Sequence, residues 1–505
     1  MKEKAAIVFL PWVAEYKNHP PLAPALLKSL LHESGIGSRT FDLNLKYQEQ
    51  LDDSVQTAIT SWIFTSGIKI SASIFNQYQS FIKQQVNKII EFDPTVVMIS
   101  LFSHQSQRVA EDLCFHLKAN NPDIFVIAGG SGVHIHLNEY KQRWCDIMLN
   151  NNLVDTVLQG EGEHIIHKLF VDKKRGMITL PQLDNDELVD LPVPNFDDYV
   201  FSEYGDIKDI SLPVTASKGC VRNCTFCDVA AIWPKFRYRR GKNVADEMIG
   251  IYKKYGINKF RFTDSLINGG LKPFRDMNTY IVENLPNVLE YNGQFIARDS
   301  KSMPPSDFDL MKQGGCNKVW IGIESGSEDV RNHMKKKFSD VDLHYTAEQL
   351  LERNITQYWN IIVGYPTETE QDWQASVNLI ERYRKYNQLI KIVPVGVFQL
   401  LQNTPISKSA ALAELEIENH NIGGYTEYGW ISKLNPTNTL ASRVSRYKDL
   451  IEIITEYNMF VPGERLQAKL AVLEQQRNFY EEQDRNQISV SEQPVQEPTN
   501  FYQMQ

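Results

Sequence analysis

The chain contains no run of about 18 uninterrupted apolar residues, the length a helix needs to cross a bilayer, so no membrane segment and no membrane partner are expected. Cysteine is scarce: six in 505 residues do not make a disulfide framework. The amino end, MKEKAAIVFLPW, has a charged start and a short apolar run but no small-residue cleavage site, so it reads as a first strand and not as an export signal. A cytoplasmic, reducing location is therefore expected, where a cysteine cluster serves metal binding or catalysis. Positive charge is not in excess either, since 53 Lys and Arg stand against 62 Asp and Glu for a net charge of -9, and no nucleic-acid partner is expected. A local basic stretch, KFRYRRGK (235–242), reads first as a solvated face and second as a contact for an anion. No repeat of fixed period is evident.

What is present is a long chain of ordinary composition, 42% hydrophobic and 23% charged, and too long for one core. Over its first 170 residues, β-rich apolar runs alternate with helical patterns. The runs are AAIVFL (5–10), SRTFDL (38–43), TVVMISL (95–101), DIFVIAGG (123–130) and DTVLQG (155–160). Between them, stretches such as PLAPALLKSLLHES and QRVAEDLCFHLKAN carry apolar residues at three and four spacings, which predicts right-handed crossovers and a doubly wound, Rossmann-like parallel sheet in residues 1–180. Ligands of such sheets sit beyond the carboxyl ends of the strands. Those ends hold Ser100, the turn Gly129-Gly130-Ser131-Gly132 and the turn Gly160-Glu161-Gly162-Glu163. The proline-rich, acidic residues 181–212 read as an interdomain linker.

A second alternation follows, with strands expected at 212–217, 258–264, 290–299, 318–325, 358–364 and 390–400. Six strands separated by helices suggest a parallel TIM-type barrel, complete or partial, over residues 213–405, with its chemistry at the carboxyl ends of the strands. Cys220 to Cys227, Asp264, Arg298, Glu324 with Ser325, and Glu368 lie at those ends. Residues 406–475 read as helical and 476–505, rich in Gln, Glu and Pro, as a disordered tail. The fold class is α/β throughout.

Half of all the cysteines fall in KGCVRNCTFCD (218–228). Three thiolates at spacings of four and three, on a loop leaving a strand, suit three corners of a 4Fe-4S cluster and leave one iron free for a small ligand. Structural zinc is the weaker reading: it needs a fourth ligand from Cys114, Cys145, Cys316 or a distant histidine, and the paired spacing of zinc ribbons is absent.

Cys220-x3-Cys224-x2-Cys227, with Phe226 before the last cysteine, resembles the signature loop of the radical S-adenosylmethionine (SAM) superfamily. KFRFTDSL, FIARDS, WIGIESGSEDV and NIIVGYPTETEQDW resemble that superfamily's second to fifth barrel strands, and FQLLQNTPIS its sixth, although Asn403 stands where a glycine is often found. The resemblance covers about 213 to 410. In front of it, HPPLAPALLKSLLHESG, PTVVMISLFS, DIFVIAGGSGVH and DTVLQGEGEHIIHKL resemble the cobalamin-binding domain that precedes the barrel in one large subgroup. The Asp-x-His-x-x-Gly loop of many cobalamin proteins is absent: Asp342-Leu343-His344 begins it but lies in the barrel and lacks the glycine. Members of the subgroup often lack that loop.

The resemblance implies a 4Fe-4S cluster on Cys220, Cys224 and Cys227 and SAM chelated to the open iron, with reductive cleavage to a 5'-deoxyadenosyl radical. It further implies Glu324 and Ser325 at the SAM ribose, Arg298 and Asp264 at its methionine end or in a supporting network, and Phe226 and Gly364 at the adenine wall. Ser100, Gly129, Gly130, Gly160 and Glu161 are the positions for cobalamin. His104, His134 and His136 lie near the same cleft and read first as surface residues, while Tyr358, Trp359 and Tyr365 read as core or wall. With cobalamin the implied reaction is methyl transfer to an unactivated carbon of a small-molecule substrate, with an external electron donor such as flavodoxin or ferredoxin. The alternatives are a radical cyclisation, oxidation or rearrangement, and, of another class, a noncatalytic cobalamin or iron-sulfur sensor. A methylthiotransferase is a nearer rival, but the amino-terminal region has no second cysteine triplet.

Overall fold

The computed structural model describes residues 3–11, 19–64, 69–133, 143–401, 404–408, 415–417, 425–426 and 430–462, with short helical pieces between 466 and 478. His134, His136, Asn403 and the expected tail 476–505, apart from 477–478, lie outside the described residues, as does the side chain of His104.

The amino-terminal domain is a six-stranded parallel sheet: β1 (Lys4–Phe9), β2 (Gly37–Asp42), β3 (Val96–Ser100), β4 (Phe125–Gly129), β5 (Thr156–Gln159) and β6 (Gly176–Thr179), in the order β2-β1-β3-β4-β5-β6. Ala6, Val8, Val97 and Ile99 pack into a core on one face, and Ala5, Ile7, Val96 and Met98 into a core on the other. That burial on both faces is why these strands read as continuous apolar runs. Only β6 escaped the sequence reading, because the four residues GMIT form a half-exposed edge strand without an apolar run. The strand order reverses between β1 and β3, which opens a crevice beyond their carboxyl ends.

The second domain begins with β7 (Leu212–Val214), then a short antiparallel hairpin, β8 (Ser217–Lys218) with β9 (Arg237–Tyr238). Strands β10 (Lys259–Phe262), β11 (Glu290–Phe295), β12 (Cys316–Glu324), β13 (Thr356–Val363) and β14 (Ile390–Val397) join β7 in a parallel sheet of sequential order with β7 and β14 at its edges. The barrel is partial. Period-2 alternation places Phe260, Tyr291, Ile321 and Trp359 in the core, while Arg261, Asn292, Trp320 and Tyr358 stand half-buried on the concave face. The β14 edge is covered by the segment after the last long helix, through the Ile392 amide donating to the Met459 carbonyl at 2.7 Å.

Two expectations are refined. Residues 406–475 hold short strands as well as helix: β15 (Leu400–Leu401) pairs with β17 (Tyr425–Thr426) and β16 (Leu415–Ile417) with β18 (Trp430–Ser432), ahead of the helix Leu440–Glu456. Short pairings of this kind close over the buried Trp430, which meets Phe398 edge-on at 5.5 Å, and leave little periodic trace in sequence. Residues 181–212 connect the domains, but as a packed strap. Within them Leu188, Phe196 and Ile210 are buried, Asp198 pairs with Lys28 at 2.6 Å, and the Asn195 amide donates to the Ala25 carbonyl at 3.0 Å. The prolines preset an extended path, and the apolar residues between them fasten it to both domains.

If the strap carries the domain junction, Phe196→Ala lowers unfolding stability by about 3–5 kcal/mol in chemical denaturation, as for a buried aromatic, while the exposed Val193→Ala changes it by less than about 0.5 kcal/mol.

Candidate functional site

The three cysteines lie on the loop that leaves β8. Cys224 is buried, and Cys220 and Cys227 are half-buried. The loop is pinned at its middle: the Thr225 amide donates to the Met334 carbonyl at 3.0 Å, the Thr225 carbonyl accepts from the Ile406 amide at 2.8 Å, and the Thr225 hydroxyl meets the Tyr365 hydroxyl at 2.8 Å. Burial pushes the Cys227 thiol up to about 12 and raises Cys224 as well, with each thiol sensing Cys220. Such thiols ionise when a metal takes the proton's place. Among the described residues no trio of His, Cys, Asp or Glu converges as a metal site, while the three thiols lie within electrostatic reach of one another on one loop.

Behind the loop stands a buried ion pair, Lys336 to Glu324 at 2.9 Å, with the Lys336 ammonium also 5.8 Å from the Phe226 ring centre. Glu324 ends β12 in a left-handed conformation, φ +68°, at a register shift between β12 and β13. That strain turns the end of the strand and brings the carboxylate toward Lys336. Lys336 was missed in the sequence because a lysine in MKKKF looks like a solvated charge. Phe226 packs against the aromatic cluster of Tyr365, Phe398 and Trp430.

Asp264 follows β10, is buried, and accepts from the Ala216 amide at 3.0 Å and from the Ser217 hydroxyl at 2.5 Å. Burial lifts its carboxyl to about 7 despite those bonds. It holds the strand that feeds the cysteine loop. Arg298 donates to the carbonyls of Asn268 and Gly269 at 2.9 and 3.0 Å, while its Nε is buried without a partner. Arg222, in the cysteine loop, has the same orphan Nε, and burial together with the Arg222 charge holds Arg298 below its ordinary value. Two expectations change here. Ser325 is fully buried, its hydroxyl engaged by the Ser327 amide and facing Ser376. At Gly364, φ +78°, a Cβ would lie 2.2 Å from Arg443 Cγ, so the glycine makes room for the last helix instead of for a ligand. Glu368 is likewise a packing partner, paired with Arg446 at 3.0 Å.

The carboxyl ends of both sheets meet at a mostly apolar cavity of about 560 Å³. It is bordered by Phe9, Ser100 and Gly130 from the first domain and by Thr215, Asp264 and Lys218 from the second. Ser100 thus sits where the sequence placed it, and Gly129 closes β4 beside it. Gly130 and Gly160 serve the backbone: a Cβ at either would strike a neighbouring carbonyl, Leu101 or Leu180, at 2.4 Å. Glu161 is corrected more fully. Its buried carboxylate accepts from Lys218 Nζ at 2.7 Å, from the Arg237 guanidinium and from the Leu183 amide, so it clamps the two domains and has no capacity left for a cofactor. Burial alone would raise this carboxyl, yet Arg237 and Lys218 hold it below the usual range. Lys218 also reaches Glu163 at 2.9 Å and lies two residues before Cys220.

Residues 214–380 match the family described as the radical SAM superfamily. The chain is 25% identical over 323 residues to an uncharacterized methyltransferase, PH0819, of Pyrococcus horikoshii, an alignment covering 59% of this chain and 66% of that one, just short of two thirds. Its fold is shared with the radical SAM methyltransferase TsrM of Kitasatospora setae, solved with cobalamin and a [4Fe-4S] cluster bound (TM-score 0.62, 15% identity, 92% of each chain). It is shared also with OxsB, a cobalamin-dependent SAM radical enzyme solved with aqua-cobalamin and SAM bound (TM-score 0.64, 14% identity, 94% of this chain and 71% of that one). Residues 214–380 thus carry a radical SAM domain, and the partial barrel together with the sheet in front of it shares the fold of these two solved enzymes.

Proposed function

We propose that the chain uses a 4Fe-4S cluster, SAM and cobalamin to methylate an unactivated carbon of a small-molecule substrate. The observation that carries the reading is the cavity between the two sheets. It begins at the switch point of the first sheet, where ligands of doubly wound folds bind, and ends at Lys218, next to the cysteine loop. A cofactor of the first domain and a radical generated in the second would then share one apolar, water-poor space. When bound, the cluster supplies the electron for reductive cleavage of SAM, and cobalamin supplies a transferable methyl group.

The chain's own residues hold and orient. Cys220, Cys224 and Cys227 are assigned to the cluster, and the orphan Nε groups of Arg298 and Arg222 suit the carboxylate of SAM, because a buried guanidinium donor without an acceptor is costly until a ligand supplies one. Phe226 is kept as adenine wall and Glu324 as ribose contact, with Lys336 setting its orientation. Asp264 becomes a positioning residue for the loop, and Ser325 and Gly364 are set aside. On the first domain Ser100 and Gly130 stay as cobalamin positions and Glu161 leaves. A flavodoxin or ferredoxin is the expected source of the electron.

Anaerobic reconstitution with iron, sulfide and hydroxocobalamin, followed by dithionite and SAM, tests the reading. The expected result is retained cobalamin and 5'-deoxyadenosine in the chromatogram; alanine at any of the three cysteines removes the cluster absorbance and the 5'-deoxyadenosine together. Cleavage of SAM without retained cobalamin would reject the methyl-transfer reading and favour a cyclase or rearrangement, and a cluster that never cleaves SAM would favour a sensor. Arg298→Ala is expected to weaken SAM binding about 10- to 100-fold in equilibrium titration, the worth of a charge-assisted hydrogen bond to a buried group.

A further inference from the structure

The interdomain cavity of about 560 Å³ is bordered also by the helix Leu43–Gln50, which leaves β2 through Asp42. That helix buries Leu43, Leu45, Tyr47 and Gln48. Gln48 is 6% exposed and lines the cavity, and among the described residues neither its Nε2 nor its Oε1 has a hydrogen-bond partner. The polar groups nearest it in the chain are engaged elsewhere. Asp42 accepts from the Leu45 amide at 3.0 Å and from the Tyr204 hydroxyl at 2.6 Å, Gln56 donates to the Leu51 carbonyl at 2.6 Å, and Gln50 accepts from Gln85 at 3.0 Å. The strap adds Ser211 to the same cavity wall, 7% exposed, and its hydroxyl is likewise buried without a partner.

Other buried amides of this chain show what Gln48 lacks. Asn268, fully buried, donates to the Ile296 carbonyl at 2.9 Å and accepts from the amide of the same residue at 3.1 Å. Gln357, also fully buried, donates to the Ala347 carbonyl at 2.9 Å and accepts from Trp359 Nε1 at 3.0 Å. Both use donor and acceptor together. An amide taken out of water with neither function used raises the free energy of the folded chain until a partner replaces the water it gave up. One group satisfies both atoms at once if it carries an N–H and a carbonyl oxygen side by side, as a lactam or a primary carboxamide does.

We infer that Gln48 binds a lactam or carboxamide edge of the substrate, donating from Nε2 to its carbonyl oxygen and accepting its N–H at Oε1. The inference rests on the small-molecule reading above and narrows it. β2 is the edge strand of the first sheet, one strand out from the switch point between β1 and β3, so Gln48 borders the cavity to one side of the place where a doubly wound sheet seats its cofactor. Its role is in specificity: an analogue without the N–H leaves Oε1 dry and unpaired.

Full-length protein, without cluster or SAM, is titrated with 2-pyridone, a lactam with adjacent N–H and carbonyl, and binding is followed by ligand-observed nuclear magnetic resonance. Saturable binding is expected, at least about tenfold weaker for N-methyl-2-pyridone and in Gln48→Met. Methionine keeps the length of the side chain and removes both unpaired atoms, so the urea midpoint of unliganded Gln48→Met is expected to stay level or rise. No saturable binding by the unsubstituted protein, equal binding of the two pyridones, equal binding by the variant, or a fall in its urea midpoint overturns the site. The peripheral carboxamides of cobalamin offer the same chemistry, so retention of hydroxocobalamin is compared in the same two proteins. Selective loss in Gln48→Met assigns the edge to the cofactor and overturns the substrate assignment, and equal retention supports it. Because 2-pyridone binding requires neither cobalamin nor SAM cleavage, failure here and failure of the methyl-transfer reading are told apart.

Discussion

The arrangement of both domains turns on one buried carboxylate. Glu161 lies in the turn just after the fifth strand of the first sheet and receives hydrogen bonds from Lys218 and Arg237, on the two strands of the hairpin from which the cysteine loop departs. A buried charge so surrounded stabilises the fold only as a complete set; removing one partner of such a pair costs about 3–5 kcal/mol because the others remain charged and dry. The clamp also fixes where Cys220 can stand, since Lys218 is two residues away. Trp233 sits against both cations, 5.6 Å from Lys218 Nζ and 5.5 Å from the Arg237 guanidinium carbon.

The same economy of charge runs through the rest of the site. Lys336 and Glu324 face one another behind Phe226, so the ground behind the thiols is electrically balanced before a cofactor is present. Arg222 and Arg298, in contrast, keep a buried donor each with nothing to receive it. Arg298, which has no carboxylate partner among the described residues, differs in this from Glu161, whose charge is matched by Lys218 and Arg237.

That distinction also marks how far the sequence could be read. Eleven strands, from AAIVFL to IKIVPVGV, were legible because period-2 or continuous apolar runs follow directly from burial on one face or two. The cysteine triplet was legible because its spacing is local. Glu161 and Gly364 were misread because their partners, Arg237 and Arg443, lie 76 and 79 residues away, beyond any local pattern. A glycine after a strand carries the same letter whether a ligand or a neighbouring carbonyl fills its missing side chain. The strap at 181–212 hid for a related reason: proline and acidic residues set its composition, while a few apolar residues such as Phe196 set its behaviour.

The clamp has a consequence for the order in which the protein matures. Glu161 is made early in synthesis, yet its carboxylate is satisfied only once Arg237 has emerged and the hairpin has docked against the first domain. The cysteine loop therefore acquires its anchored form after the two domains meet, and its pin at Thr225 waits for residues as late as Met334 and Ile406. A cluster delivered earlier would meet three thiols on a loose chain; delivered later, it would meet them on an anchored loop. Assembly of the metal centre is thus written into the fold as a late event, gated by contacts from nearly the whole length of the barrel.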